Sequence, residues 1–185
     1  MLMEAQVYQR NNTTASTKDS RFKVAIVGSL LDNVPNMAGL VRTAESLLGP
    51  NCEVTLRTDK VLEDKNFLKM SVAAEQGCHV VAVPEGPRLI AYLKEKRAEG
   101  FTVCALEQAS TSVILNSETV LPHAMVVVVG SEGQGIPSWL MQSGLIDLFV
   151  ELPLLGQTRS LNAHVATAML LWHYSLNRSL AGAAT

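Results

Sequence analysis

From residue 22 onward, short apolar runs alternate with segments whose apolar residues recur every three or four positions. The runs KVAIVGSL (23–30), CEVTLR (52–57), HVVAV (79–83), FTVCAL (101–106), AMVVVVG (124–130) and DLFVEL (147–152) are short and rich in β-branched residues, so each predicts a strand. Between them, helical spacing covers 37–49, 64–76, 87–98, a short stretch over 137–142, and a long stretch over 161–177. Local signals mark the ends. Gly49-Pro50 stops the first helix, Asp64 opens the second and Gly77 follows it, and Pro87 and Gly100 bracket the third. Nearly all-apolar strands alternating with helices predict a parallel sheet buried on both faces. The expected fold is therefore α/β, with about six mainly parallel strands and flanking helices. Residues 1–21 (with NNTTASTKDS) are polar and expected to form a flexible lead. Residues 22–180 form one domain, and 181–185 a tail.

Composition narrows the class. With 48 % apolar and 17 % charged residues, the 185-residue chain is not of the disordered type. The apolar run around Met125–Val129 is too short to span a membrane, and MLMEAQVYQR predicts no signal peptide. Cys52, Cys78 and Cys104 fit neither a disulfide framework nor a zinc site and are expected to be buried free thiols. A reducing compartment follows: the cytoplasm, or the nucleus. The net charge is −2, unevenly spread: residues 1–97 hold 13 of the 15 Lys and Arg, while 98–158 hold six acids and no Lys or Arg. That asymmetry suggests one face for an anion and another turned away from it.

Three loops after strands carry candidate chemistry, because ligands in open α/β sheets bind beyond the carboxyl ends of strands. In the first, Asn36 stands near a helix start as a candidate cap, and Arg42 follows six residues later. Arg42 either snorkels or meets a carboxylate or phosphate. In the second, GSEGQGIP (130–137) offers close backbone approach, yet it matches neither a dinucleotide fingerprint nor a Walker loop. Glu132 in that loop disfavours a bare polyphosphate and favours a zwitterion or cation, such as an amino-acid-bearing nucleoside. In the third, Leu152-Pro153 leads to Ser160-Leu161-Asn162 at the start of the long helix, where Ser160 and Asn162 are candidate caps. No hydrolase nucleophile elbow and no His/Cys metal set occurs in the sequence, so no metal is expected.

Taken together, the N-x5-R pattern, GSEGQGIP and the LP…SLN segment resemble the knotted SPOUT methyltransferases, and more narrowly the TrmH-type RNA ribose 2′-O-methyltransferases. ALEQAS (105–110), AEQG (74–77) and SLNAHVATAMLLWHY (160–174) look like the catalytic domain of the large eukaryotic tRNA guanosine-18 2′-O-methyltransferases, the branch of the TAR RNA-binding methyltransferase. His164, where common bacterial relatives carry Ser, supports that branch. The resemblance covers residues 22–178. It implies a C-terminal trefoil knot, S-adenosylmethionine as cofactor, and a homodimer whose sites are completed near the partner. It implies that Arg42 is the catalytic arginine, that Asn36 supports it, and that Glu132, Ser160 and Asn162 complete the catalytic set. Gly130, Leu152 and Leu161 would meet the cofactor through their backbone, with Leu106 and Glu107 nearby. Arg42, Arg57, Lys60, Lys65 and Lys69 would face tRNA phosphates, while the acidic half would face the partner subunit or solvent. Members of this branch carry a long upstream RNA-binding region. The implied activity is 2′-O-methylation of guanosine 18. The alternatives are the tRNA wobble nucleotide or rRNA, and a non-catalytic RNA-binding or dimerisation module. Arginine is a poor base, since its pKa lies above ~12; His164 is the side chain to test in that role.

Overall fold

The computed structural model describes residues 23–182. The expected lead 1–21 and residues 183–185 lie outside the described residues. Seven strands form one sheet: β1 (Lys23–Val27), β2 (Glu53–Leu56), β3 (His79–Ala82), β4 (Thr102–Leu106), β5 (Val113–Ile114), β6 (Ala124–Val129) and β7 (Leu148–Glu151). Their order across the sheet is β3-β2-β1-β6-β4-β7-β5, and every pairing is parallel. The seventh strand, β5, is two exposed residues long, too short for its pattern to separate it from a loop.

Alternation along the central strands builds two cores. Val24 and Ile26 of β1, with Met125, Val127 and Val129 of β6, face one side. Ala25 and Val27, with Val126 and Val128, face the other. Parallel strands buried on both faces must be apolar throughout, and these are. The first face is covered by α1 (Val34–Leu48), α2 (Lys65–Ser71) and α5 (Ala163–Gly182). The second is covered by α3 (Pro87–Ala98) and α4 (Ser138–Met141). Each large aliphatic side chain enclosed here contributes about 1.5–3 kcal/mol of burial. The last helix runs to Gly182, past the expected boundary at residue 180.

The helix expected over 64–76 is shorter than its periodicity implies. Asp64 does cap it, accepting from the amides of Asn66 (2.7 Å) and Phe67 (3.0 Å). It ends at Ser71, because Val72 and Ala73 both take left-handed conformations (φ 54° and 64°) before a short 3₁₀ turn over Ala74–Gln76. Ser71 Oγ donates to the Glu75 carboxylate (2.6 Å), holding that turn back against the helix end. The cysteines are free, with Cys52 and Cys104 buried but Cys78 only half-buried. Cys52 and Cys78 directly precede the paired residues Glu53 and His79, so their thiols meet across β2 and β3.

The amino-terminal edge of the sheet is closed by internal pairing. Glu53 accepts from Tyr92 Oη (2.6 Å) and forms an ion pair with Lys96 (3.2 Å). Burial pushes the Glu53 carboxyl up, but these partners outweigh it and hold the group below the usual carboxylate range. The carboxyl-terminal edge is where the chain leaves β1, β4, β6 and β7 into its loops. It lies where β6 separates β1 from β4 and the connections diverge.

Candidate functional site

The loops after β4, β6 and β7 enclose a cavity of about 540 Å³. Leu106, Glu107, Gly130, Glu132, Leu152, Ser160, Leu161 and Asn162 all line it. The segment 130–135 folds back on itself. Ser131 N donates to Gly135 O and Gly135 N to Ser131 O, both at 3.0 Å. Close approach makes glycine necessary at two places. A Cβ on Gly130 would stand 2.5 Å from the Gly135 carbonyl carbon. Gly135 has φ +66°, and a Cβ there would stand 2.7 Å from Glu107 Oε2. The Glu107 carboxylate accepts from Gln108 N (3.1 Å) and Ile136 N (3.4 Å), so the β4 loop braces the β6 loop.

The Glu132 carboxylate is engaged within the protein. It accepts from Asn36 Nδ2 (2.7 Å), Asp32 N (3.1 Å) and Asn33 N (3.3 Å). Burial pushes this carboxyl up, but the hydrogen bonds from Asn36 and the Asp32 and Asn33 amides outweigh it and hold the group below its ordinary range. Glu132 thus places negative charge at the amino end of α1, where the helix dipole favours it.

Asn36 is not a cap. The cap position belongs to Asn33, whose side chain makes no capping bond. Asn36 is 7 % exposed, and its amide is used at both ends: Nδ2 donates to Glu132, and Oδ1 accepts from Asn162 Nδ2 at 3.0 Å. Asn162 is the α5 cap. Its Oδ1 accepts from the amides of His164 (3.0 Å) and Val165 (3.2 Å). Ser160 is exposed in the cavity wall and does not cap α5. One chain, Glu132–Asn36–Asn162, therefore ties together the β6 loop, α1 and the start of α5.

Arg42 does not line this cavity. It lies on the exposed side of α1, in a neighbouring cleft of about 450 Å³ with Gly39, Thr43, Ser46, Met70 and His164. Among the described residues Arg42 meets no carboxylate. The proposed RNA-facing cations divide. Arg57 is engaged internally by Asp32 (3.0 Å), Glu85 (3.4 Å) and the Ser29 carbonyl (3.4 Å), with its side chain 41 % exposed. Lys60, Lys65 and Lys69 are exposed, the last two a turn apart on α2. Nor does the acidic half turn away from the site, since Glu107 and Glu132 line the cavity.

Sequence reasoning missed the pairing of His164 with Thr43. Nε2 and Oγ1 stand 2.8 Å apart, and the imidazole lies on Gly39. A glycine inside a helix, disfavoured by about 1 kcal/mol against alanine, was the available signal that something packs there. Among the described residues, no group of three or more His, Cys, Asp or Glu side chains could hold a metal ion, and no helix is long and apolar enough to cross a membrane.

A fully parallel α/β sheet with glycine-rich loops gathered over its carboxyl edge, joined by a Glu–Asn–Asn network, defines the class. The chain belongs to the SpoU rRNA Methylase family, whose model matches residues 23–172. It is 36 % identical over 158 residues to tRNA (guanosine(18)-2′-O)-methyltransferase TARBP1 of Mus musculus, covering 85 % of this chain and 10 % of that protein. It is 30 % identical over 172 residues to the tRNA (guanosine(18)-2′-O)-methyltransferase of Saccharomyces cerevisiae, covering 92 % of this chain and 12 % of that one. The chain thus spans about a tenth of the length of these relatives. Among solved structures, the A. aeolicus TrmH/SpoU tRNA modifying enzyme superposes with TM-score 0.68 at 22 % identity, covering 88 % of this chain and 78 % of that one. The SpoU methyltransferase AviRb from Streptomyces viridochromogenes, in complex with AdoMet, gives TM-score 0.70 at 18 % identity, covering 85 % and 61 %.

Proposed function

We propose that this chain transfers a methyl group from S-adenosylmethionine to a ribose 2′-hydroxyl of tRNA, at guanosine 18. The observation that carries this is the Glu132–Asn36–Asn162 network. It joins the three motifs of the resemblance at the rim of a cavity sized for a nucleoside ligand. Relatives at 30–36 % identity bear that activity in their names.

The residues present fit the cofactor. The cavity has no Lys and no phosphate loop, which suits a ligand without polyphosphate. It combines the carboxylate of Glu107 with the guanidinium of Arg159, a pair suited to a zwitterion. Gly130, Leu152 and Leu161 would hold the cofactor through backbone groups, beside Leu106 and Glu107. When bound, S-adenosylmethionine supplies an already activated methyl group. The protein's share is to align the hydroxyl in line with that methyl and to manage its proton. A guanidinium is a poor base, so the role of Arg42 is to orient the adjacent phosphate and stabilise charge developing on the ribose oxygen. Ser160 and Asn162 frame the cavity mouth on the acceptor side. Lys60, Lys65 and Lys69 extend the cationic surface from Arg42 along the RNA backbone.

Arg42 stands outside the cavity of its own chain, which supports a site completed across a homodimer. The matching surface is on α5. Leu161 just before it, then Val165, Met169, Trp172 and Leu176, are all exposed, and the spacing puts them on one stripe. The C-terminal trefoil knot, a cytoplasmic or nuclear location, and dependence on an upstream RNA-binding region belong to the same reading.

The test is methyl transfer from labelled S-adenosylmethionine to an unmodified tRNA transcript, with the labelled nucleotide mapped. Label on the ribose of guanosine 18 is the expected result. Label at the wobble ribose, or on rRNA fragments alone, keeps the chemistry and replaces the substrate. Cofactor binding with no transfer to any RNA points to a catalytic domain that needs the upstream RNA-binding region, and no transfer even with such a region fused to it favours the non-catalytic module.

A further inference from the structure

We infer that His164 is a positioning residue for Arg42: it locks the start of α5 onto the turn of α1 that carries the arginine. This inference rests on the reading of the chain as a ribose methyltransferase. The geometry is specific. His164 Nε2 is 2.8 Å from Thr43 Oγ1, and Thr43 follows Arg42 directly on α1. One turn earlier, Gly39 makes room for the ring. A Cβ there would stand 2.6 Å from Nδ1 and 2.7 Å from Cε1. One turn earlier again, Asn36 receives the hydrogen bond from Asn162. Positions 36, 39 and 43 follow the helical period, so two hydrogen bonds and one stacked ring hold one face of α1 against the first turn of α5. Arg42 stands beside this seam, and it lines the same cleft as the imidazole.

The clamp is built for a neutral ring. Burial lowers the readiness of His164 to take a proton. The groups around the cleft do nothing to reverse this. From α1 the one charged group is Arg42, α2 contributes Met70, and no carboxylate lines the space. An imidazolium there would put a second positive charge beside Arg42 with no counter-ion among the described residues. Acid should therefore loosen the clamp while leaving the cofactor cavity on the other side of Asn162 intact.

The test is steady-state kinetics of four variants across pH, with S-adenosylmethionine affinity measured alongside. His164→Ala should lower kcat by about 30-fold or more, the scale at which small misplacement of a reacting group acts, with KM for tRNA and cofactor affinity changed less than about threefold. Thr43→Val should act in the same direction, and the double variant should be no worse than His164→Ala, because both remove one contact. His164→Gln, whose amide can still reach Thr43, should recover most of the loss. It should also lack the acid-side fall in kcat expected of the unaltered chain. Four results would overturn the inference: His164→Ala losing less than about threefold, losses that multiply in the double variant, an acid limb retained in His164→Gln, and His164→Gln as inactive as His164→Ala. The last would mean that the imidazole handles the hydroxyl's proton directly. An NMR titration of the imidazole reads the clamp without any substrate. A midpoint below the ordinary histidine value that moves in Thr43→Val supports it, and an ordinary, unmoved midpoint overturns it. A chain that methylates no RNA yet passes the NMR test would sink the methyltransferase reading and leave the clamp standing.

Discussion

Asn36, Glu132 and Asn162 show how a site is made from side chains whose strongest bonds are to one another. Sequence spacing suggests caps for Asn36 and Asn162 and places Glu132 in the loop after a strand. Only Asn162 caps, and it does so with the oxygen of an amide whose nitrogen reaches Asn36. The links run between residues 96 and 126 positions apart, so no local pattern could expose them. Two predictions belong at this scale. Arg42→Ala should reduce transfer by about 10²–10³-fold with cofactor affinity unchanged, since it removes stabilisation of developing charge and touches no wall of the cavity. Equilibrium binding beside single-turnover rates checks both halves. Glu132→Gln removes charge from the amino end of α1. The Glu132 carboxyl is held below its ordinary value, so its contribution is present above the unfolded value near 4.5 and is lost as pH falls through the folded one. Solvent screening keeps the contribution near 1 kcal/mol. Urea midpoints from pH 7 to pH 3 should converge for Glu132→Gln and the unaltered chain at the acid end.

At the level of elements, six strands and the helices between them were legible, because buried parallel strands and amphipathic helices leave period and length signals that survive packing. The missing parts had physical reasons. β5 is two residues long, and its pairing with β7 leaves no alternation to read. The break after Ser71 carries no glycine or proline. Val72, 61 % exposed and β-branched, instead caps the helix in the left-handed region. That strain gives a prediction. Val72→Gly should stabilise the protein by about 0.5–1 kcal/mol, the relieved strain exceeding the added freedom of the unfolded chain. A higher thermal midpoint would show it, and a lower one would mean that the valine side chain packs in a way its exposure conceals.

Across the whole molecule, strand order was the least legible property. The pattern indicates parallel strands, but nothing in it says that β6 inserts between β1 and β4, which brings three loops to one place. The charge asymmetry says little about the site for the same reason: residues distant in sequence share an edge in space, so Glu107 and Glu132 of the acidic half line the cavity. The exposed stripe on α5 is the clearest large-scale signal. Trp172, 55 % exposed, lies near its centre. On the proposed homodimer, Trp172→Asp should leave the fold intact by circular dichroism, shift sedimentation from dimer to monomer, and reduce transfer by at least about tenfold, because aromatic anchors at an interface carry several kcal/mol of association. An active monomer would separate the stripe from the chemistry.

The reach of the Glu132–Asn36–Asn162 network also bears on the birth of the protein. Five strands (β1, β2, β3, β4 and β6) can pair once residue 129 is available, but Asn36 has no partner at the start of α5 until Asn162 follows. Contacts of such sequence separation form late, because the intervening chain must first be closed into a loop. A nascent or truncated chain ending before residue 160 would therefore carry most of the sheet and neither half of the cap that finishes the site. The three loops are therefore tied together in one late step, when Asn162 reaches Asn36.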